Sequence, residues 1–131
     1  LTLKGKSALH YWKQFKKITL AVSIDAIGEK VAYIRSGLKW NKFLENIKLV
    51  KEKCPHIKIE IAPTVSNLSI LTLCDLHQYF VKNNLITIND IYLNILDRPN
   101  YYNCKNSPKS VKKKSKENLI AHIEWLNENN F

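Results

Sequence analysis

"ITLAVSIDAIGEKVAYIRSGLKWNKFLENIKLVKEKCPHIKIEIAPTV", residues 18–65, changes hydrophobic period twice. Positions 18–24 are apolar almost throughout, the pattern of a strand covered on both faces in a parallel sheet. From Trp40 the period becomes helical: Trp40, Phe43, Leu44, Ile47, Val50 and Cys54 share one face, while Lys42, Glu45, Lys48 and Glu52 take the other. Pro55 stops that helix near Lys53. A second strand follows at about 57–65, with Lys58 and Glu60 marking a less covered face. Strand, helix, strand within about 50 residues is a βαβ unit.

The unit repeats downstream. Leu73, Leu76, His77 and Phe80 predict a helix over about 71–83, and "DIYLNIL" at 90–96 predicts a third strand. Upstream, Leu9, Trp12 and Phe15 predict a helix over 7–17 with all three on one face. After Pro99 the pattern gives way to a polar, lysine-rich loop. A final helix is expected over about 116–127, carrying Leu119, Ile120, Ile123 and Leu126. The fold class is α/β, with parallel βαβ units.

Composition narrows the function classes. The chain has 131 residues, 45% of them apolar, enough for one cored domain. No apolar run approaches the ~18–20 residues that cross a bilayer, and the N-terminal residues lack a signal peptide's pattern. The expected setting is cytoplasmic, with no membrane association. There is no methionine, even at position 1, so the expectation is a fragment of a longer protein. Cys54, Cys74 and Cys104 are spaced too widely for a zinc ribbon or cluster loop and read as reduced thiols. Cys74 and His77 share a helical face, but two ligands do not make a metal site. The charge is +10, and all but Arg35 and Arg98 of the 21 basic residues are Lys. Specific nucleic-acid readers rely on Arg forks, so nucleic acid is not the expected partner.

Parallel α/β folds bind ligands beyond the carboxyl ends of their strands. There the first strand runs into Ser23 and Asp25, the second into Thr64, Ser66, Asn67 and Ser69, the third into Asn94 and Asp97. These groups suit a polyhydroxylated ligand: a carboxylate accepts from a ribose diol, and Arg35 offers a planar fork for a carboxylate or phosphate. Two plainer readings stand beside this. Asp25 caps a turn of helix, or Arg35 is half of an ion pair of little worth. The ligand reading carries the expectation that Asp25 and Arg35 share one end of the sheet without pairing.

Ser23-Ile24-Asp25, Tyr33-Ile34-Arg35, Gly37, Trp40 and Glu45-Asn46 together resemble the region around the fourth barrel strand of radical S-adenosylmethionine (radical SAM) enzymes of the twitch or SPASM type. "IEIAPTVSNLSILTLCDLHQYF" resembles their fifth strand, polar loop and following helix, and "TLKG" at 2–5 weakly echoes the end of their third. The resemblance covers about 7–96. It implies half of a partial (β/α)6 TIM-like barrel. Residues 1–100 would be the C-terminal half of the core, with strands near 18–24, 57–65 and 90–96. Residues 101–131 would be a basic loop and terminal helix.

By the same resemblance, the complete parent would bind S-adenosylmethionine and a [4Fe-4S] cluster. Ser23 and Asp25 would lie near the methionine and ribose portions, Arg35 near the carboxylate, Ser66 and Ser69 near ribose and adenine. Three departures matter. Ala26 replaces a usual Gly, Ser66 and Ser69 replace longer Asn residues, and the Cys-x3-Cys-x2-Cys loop is absent from these residues. The expectation is therefore a chain that contributes part of the cofactor face, has no catalytic residue or metal ligand of its own, and is inactive and cofactor-free unless the missing N-terminal half joins it in cis or in trans. The contrasting reading is a small basic, non-enzymatic module, since six of the twelve residues 105–116 are Lys and two tyrosines lie just upstream.

Overall fold

The computed structural model describes residues 2–3 and 6–129. Two-residue strands β1 (Thr2–Leu3) and β2 (Lys6–Ser7) pair antiparallel. The Lys4-Gly5 part of the "TLKG" echo lies outside the described residues, as does the end of the terminal segment after 129. Ser7 caps α1 (Ala8–Trp12), its hydroxyl accepting from the Leu9 amide at 3.3 Å. This helix is shorter than its apolar spacing predicts. Leu9 and Trp12 pack against the core, whereas Phe15 lies beyond the helix and is exposed.

Strand β3 (Ile18–Val22) pairs parallel with β4 (Ile57–Ile61), from Ile18↔Ile57 to Val22↔Ile61. The third strand joins the other side of β4 through the Ile61↔Ile91 bridge and continues as β6 (Asn94–Ile95), which pairs parallel with β5 (Thr64–Val65), the prolongation of β4. The break between β4 and β5 has a cause. Ile61 donates its amide to Asp90 and Ala62 donates to Val22, so residue 63 should donate to the third strand. Residue 63 is Pro and has no N–H. The strands therefore lie side by side in chain order.

Helices α3 (Trp40–Lys53) and α4 (Leu73–Lys82) are the crossovers, and α2 (Lys30–Ile34) is a short turn of helix in the first crossover. α3 has the bounds its periodicity predicts. Ile47 and Val50 from α3, Leu76 and Phe80 from α4, and Ile57, Ile59 and Ile61 from the sheet form one core with Ile24 and Val31. Trp40 and Phe43 complete it from the edge, their rings 6.4 and 6.3 Å from Phe80.

Only one face of the sheet is covered. Ile18, Leu20 and Val22 turn toward the helices, but Thr19, Ala21 and Ser23 on the opposite face are exposed. This corrects the expectation of a first strand covered on both faces: among the described residues no second layer packs against that side. β4 presents Lys58 and Glu60 there, as its alternation predicts, and Lys58 bridges Glu60 at 2.7 Å and Asp90 at 2.9 Å.

Asp90 is buried and accepts from the Thr87 amide at 2.8 Å and hydroxyl at 2.6 Å. Burial alone would raise its carboxyl, but the hydrogen bonds from Thr87 and Lys58 outweigh it and hold the group below the ordinary range. A depressed folded value stabilises the fold above the unfolded value near 3.8, and that contribution is lost as pH falls through the folded value. Urea midpoints measured from pH 6 to pH 2.5 should fall steeply below about pH 4, and less steeply in Asp90→Asn. Parallel curves would show that Asp90 does not carry the acid sensitivity.

The terminal helix α5 runs over Lys109–Glu128, longer than the 116–127 expected. The added turns contain the lysines, which lack apolar periodicity but favour helix intrinsically. No helix among the described residues is long and apolar enough to cross a membrane.

Candidate functional site at the strand ends

Asp25 follows the end of β3 and is 3% exposed. Its carboxylate is engaged on both oxygens. Arg35 donates Nε to Oδ2 at 2.6 Å and Nη2 to Oδ1 at 3.3 Å, and the Thr64 amide donates to Oδ1 at 2.6 Å. The Asp25 carbonyl accepts from the Thr72 hydroxyl at 3.2 Å. One residue thus joins the end of the first strand to the end of the second, the start of α4 and the returning loop. Gly28 (φ +61°) and Gly37 (φ +83°) bracket that loop, taking the left-handed conformation as it folds Arg35 back.

Asp25 and Arg35 do lie at one end of the sheet, as expected. That they would not pair is overturned, because the fork of Arg35 is closed on Asp25. The reason is local. Asp25 is buried beside backbone, and a buried carboxylate needs a charge-assisted partner unless water reaches it. Arg35 is about one-third exposed, its side chain at 32%, and its Nη1 makes no hydrogen bond among the described residues.

Ser66 and Ser69 are buried and serve each other. The Ser66 amide donates to Ser69 Oγ at 2.9 Å, the hydroxyls lie 3.3 Å apart, and Ser69 Oγ donates to the Thr64 carbonyl at 2.6 Å. They shape the turn into α4. Asn67 between them is held by the loop after the third strand: it donates Nδ2 to the Tyr101 carbonyl at 2.7 Å and its amide to the Tyr102 carbonyl at 2.9 Å. Asn67 Oδ1 is buried with no partner among the described residues. Ser23 is exposed on the uncovered face. Ala26 is fully buried, so its methyl is accommodated where the resembled family has Gly. On the third strand, Asn94 is exposed and Asp97 accepts from Asn103 Nδ2 at 3.0 Å.

Of the five predicted site residues, Asp25, Ser66 and Ser69 are taken up by intramolecular bonds. Ser23 is exposed, and the outer nitrogen of Arg35 has no hydrogen bond among the described residues. Sequence reasoning placed Asn67 in the lining but not among the binding residues. It missed the Thr64 amide, because a backbone donor leaves no trace in composition, and the Thr72 hydroxyl, because its partner is a backbone carbonyl 47 positions away. Fit to S-adenosylmethionine is accordingly partial. Ser23, Arg35 Nη1 and Asn67 Oδ1 suit a polar ligand, whereas Asp25 is a positioning residue. Cys54 and Cys74 are buried on α3's end and α4, and Cys104 is half-buried in the later loop. Among the described residues no group of three or more His, Cys, Asp or Glu side chains is arranged to hold a metal ion.

Fold and site together define a mixed α/β chain with sequential parallel strands and a braced carboxylate at their carboxyl ends. No known protein-family profile, curated protein or solved structure matches the chain.

Proposed function

We propose that this chain is the C-terminal half of a radical SAM-type barrel, contributing one wall of an S-adenosylmethionine site. The observation that carries the reading is the sheet. Its three parallel strands lie in chain order, helices cover one face, the other is bare and polar, and β3 has a single partner among the described residues. Half of a (β/α) barrel has this construction, since its inner face and first-strand edge are completed by the other half.

In this reading Asp25 sets the shape of the strand ends. It clamps Arg35 so that Nη1 stays available to a carboxylate, and it ties Thr64 in place. Ser23 and Asn67 supply the polar contacts. When bound in a complete enzyme, S-adenosylmethionine and the iron–sulfur cluster supply one-electron cleavage of the sulfonium and hydrogen abstraction. The cluster's thiols come from the other half.

The test begins with the reading frame upstream of Leu1, where a three-cysteine loop is expected about 80–100 residues earlier, by barrel strand spacing. The full-length protein, reconstituted anaerobically with iron and sulfide, should hold a four-iron centre and release 5'-deoxyadenosine. The 131-residue chain alone should give no stoichiometric chromophore. A start codon near Leu1, or a four-iron centre on the short chain, overturns the reading.

A second reading has its own observation. Lys105, Lys109, Lys112, Lys113, Lys114 and Lys116 are all exposed, close in sequence to exposed Tyr101 and Tyr102, whose rings lie 4.7 Å apart. A basic surface with aromatics suits a single strand of nucleic acid. Micromolar, steeply salt-dependent binding of a single-stranded oligonucleotide would favour it.

A further inference from the structure

Away from the strand ends, α5 meets α4 through two histidines. His77 on α4 and His122 on α5 are both buried, with His77 Nδ1 3.0 Å from His122 Nε2. His77 Nε2 lies 2.9 Å from the Ile88 carbonyl, and His122 Nδ1 lies 3.3 Å from Gln78 Nε2. Trp125 stacks on His122 with ring centroids 5.4 Å apart.

The proton positions follow from both ends of this chain. Lys82 Nζ only donates, and it bonds Gln78 Oε1 at 3.1 Å, so the Gln78 amide nitrogen faces His122. His122 Nδ1 must then accept, which puts its proton on Nε2 and makes it the donor to His77 Nδ1. His77 therefore carries its proton on Nε2. The Ile88 carbonyl, which only accepts, requires the same. Both rings are neutral, and every ring nitrogen is used. A further proton on His77 Nδ1 would face the N–H of His122, and one on His122 Nδ1 would face the Gln78 amide.

We propose that the His77–His122 pair is a proton-operated latch that docks α5 on α4 when both rings are neutral and releases it when either is protonated. The packing makes release local. His122 is the one buried residue of α5, and none of the buried core residues belongs to α5. Besides this polar contact the helix has partly buried Val111, Trp125 and Leu126 and one long hydrogen bond, from Asn118 Nδ2 to the Leu71 carbonyl at 3.4 Å.

The surrounding charges favour the same outcome. Burial lowers the proton affinity of both rings; at His77 the Ile88 carbonyl offsets it only in part, and at His122 a charge on His77 lowers it further. Asp75 on α4 is exposed and only partly offsets this at His122. Lys82 lies over the Trp125 ring at 5.7 Å and adds a like charge. The Cys74 thiol beside the pair is pushed up by burial and is neutral in this range. Asp90 in the adjoining loop is engaged by Lys58 and Thr87 on the other face of the sheet.

The sign follows. A histidine depressed in the docked state costs nothing above its free value near 6.5. Below that value the undocked state takes up the proton first, so docking weakens as pH falls from 6.5 through the docked value. Release opens the cleft of about 480 Å³ between α4, α5 and the third strand, exposing Leu73, Cys74 and Ile91.

The test is hydrogen exchange on the full chain at pH 7.5 and 5.0, corrected for intrinsic rates. Peptides from α5 should lose protection about tenfold or more while those from α3 and β4 hold theirs. The double variant His77→Gln/His122→Gln, whose amides keep donor and acceptor but do not titrate, should lose this pH dependence. Unchanged α5 protection at pH 5.0, loss in all elements together, or the same acid response in the double variant overturns the latch. If that variant does not fold, the C2–H resonances of the wild-type histidines decide. Titration of His77 or His122 at or above about 6.5 overturns the proposal, and titration of both below it supports the proposal.

Discussion

Replacing Asp25 with alanine is expected to lower unfolding stability by about 2–4 kcal/mol, toward the lower part of the range for a broken buried pair. Two losses add. The Thr64 amide loses its 2.6 Å acceptor at a half-buried site, and Arg35 loses both donated bonds. Arg35 can turn part of its side chain to water, which keeps the cost below that of a fully buried orphan charge. Asp25→Asn should cost less, because its carbonyl oxygen still serves Thr64. Arg35→Lys should lie between, since an ammonium cannot reproduce the two-pronged contact. Urea unfolding of the three variants gives the ranking directly. An Asp25→Ala change within about 0.5 kcal/mol of wild type would mean the carboxylate does not brace the strand ends, the level expected of an unremarkable surface substitution. On the proposed radical SAM reading, the same variant in the full-length protein should weaken S-adenosylmethionine binding through misplacement of Arg35, so Arg35→Lys and Asp25→Ala should be far from additive.

Phe80→Ala is expected to cost about 3–5 kcal/mol, the range for deleting a fully buried phenyl ring. Phe80 is 0% exposed, between the helix face of the sheet and the rings of Trp40, Phe43 and Tyr79. Three aromatic neighbours from two helices cannot all close on the space the ring leaves, so the cavity persists. Phe43→Ala removes a ring of the same size at a half-buried position and should cost clearly less. Helical phase puts Phe43 on the core face of α3 but does not fix its depth there. Thermal or urea unfolding of the two variants tests the order. Equal losses would mean that α3 sits deeper on the sheet than described.

The difference between Phe43 and Phe80 shows where sequence reading stops. Phase along α3 correctly placed Trp40, Phe43, Ile47 and Val50 on the core side. Depth on that side depends on how far the helix axis stands from the sheet and what its neighbour contributes. The strands behave alike. Alternation in "IKIEI" announced the less covered face of exposed Lys58 and half-buried Glu60, but the continuous apolar run of β3 could not announce its bare face. A small residue such as Ala21 or a β-branched one such as Thr19 fits a covered and an uncovered face equally well.

The lysine run was misread for a related reason. Residues 109–115 show no hydrophobic period because they touch little, and their helix rests on backbone propensity and on continuity with the docked turns that follow. At the site, the polar character of the strand ends was plain in Asp25, Thr64, Ser66, Asn67 and Ser69. Which of these groups remain open to a ligand was not.

By itself, the sequence determined the order of strands and helices, the bounds of α3, the parallel pairing, and the gathering of Asp25 and Arg35 at one end of the sheet. These follow from periodicity and short-range stereochemistry, which act among residues a few positions apart. Only the tertiary structure decided that Arg35 closes on Asp25, that Ser66 and Ser69 satisfy each other, that β4 and β5 part at Pro63, and that His77 meets His122 across 45 positions. Each of those outcomes depends on how elements dock. A buried polar group must take whatever partner docking brings within about 3 Å.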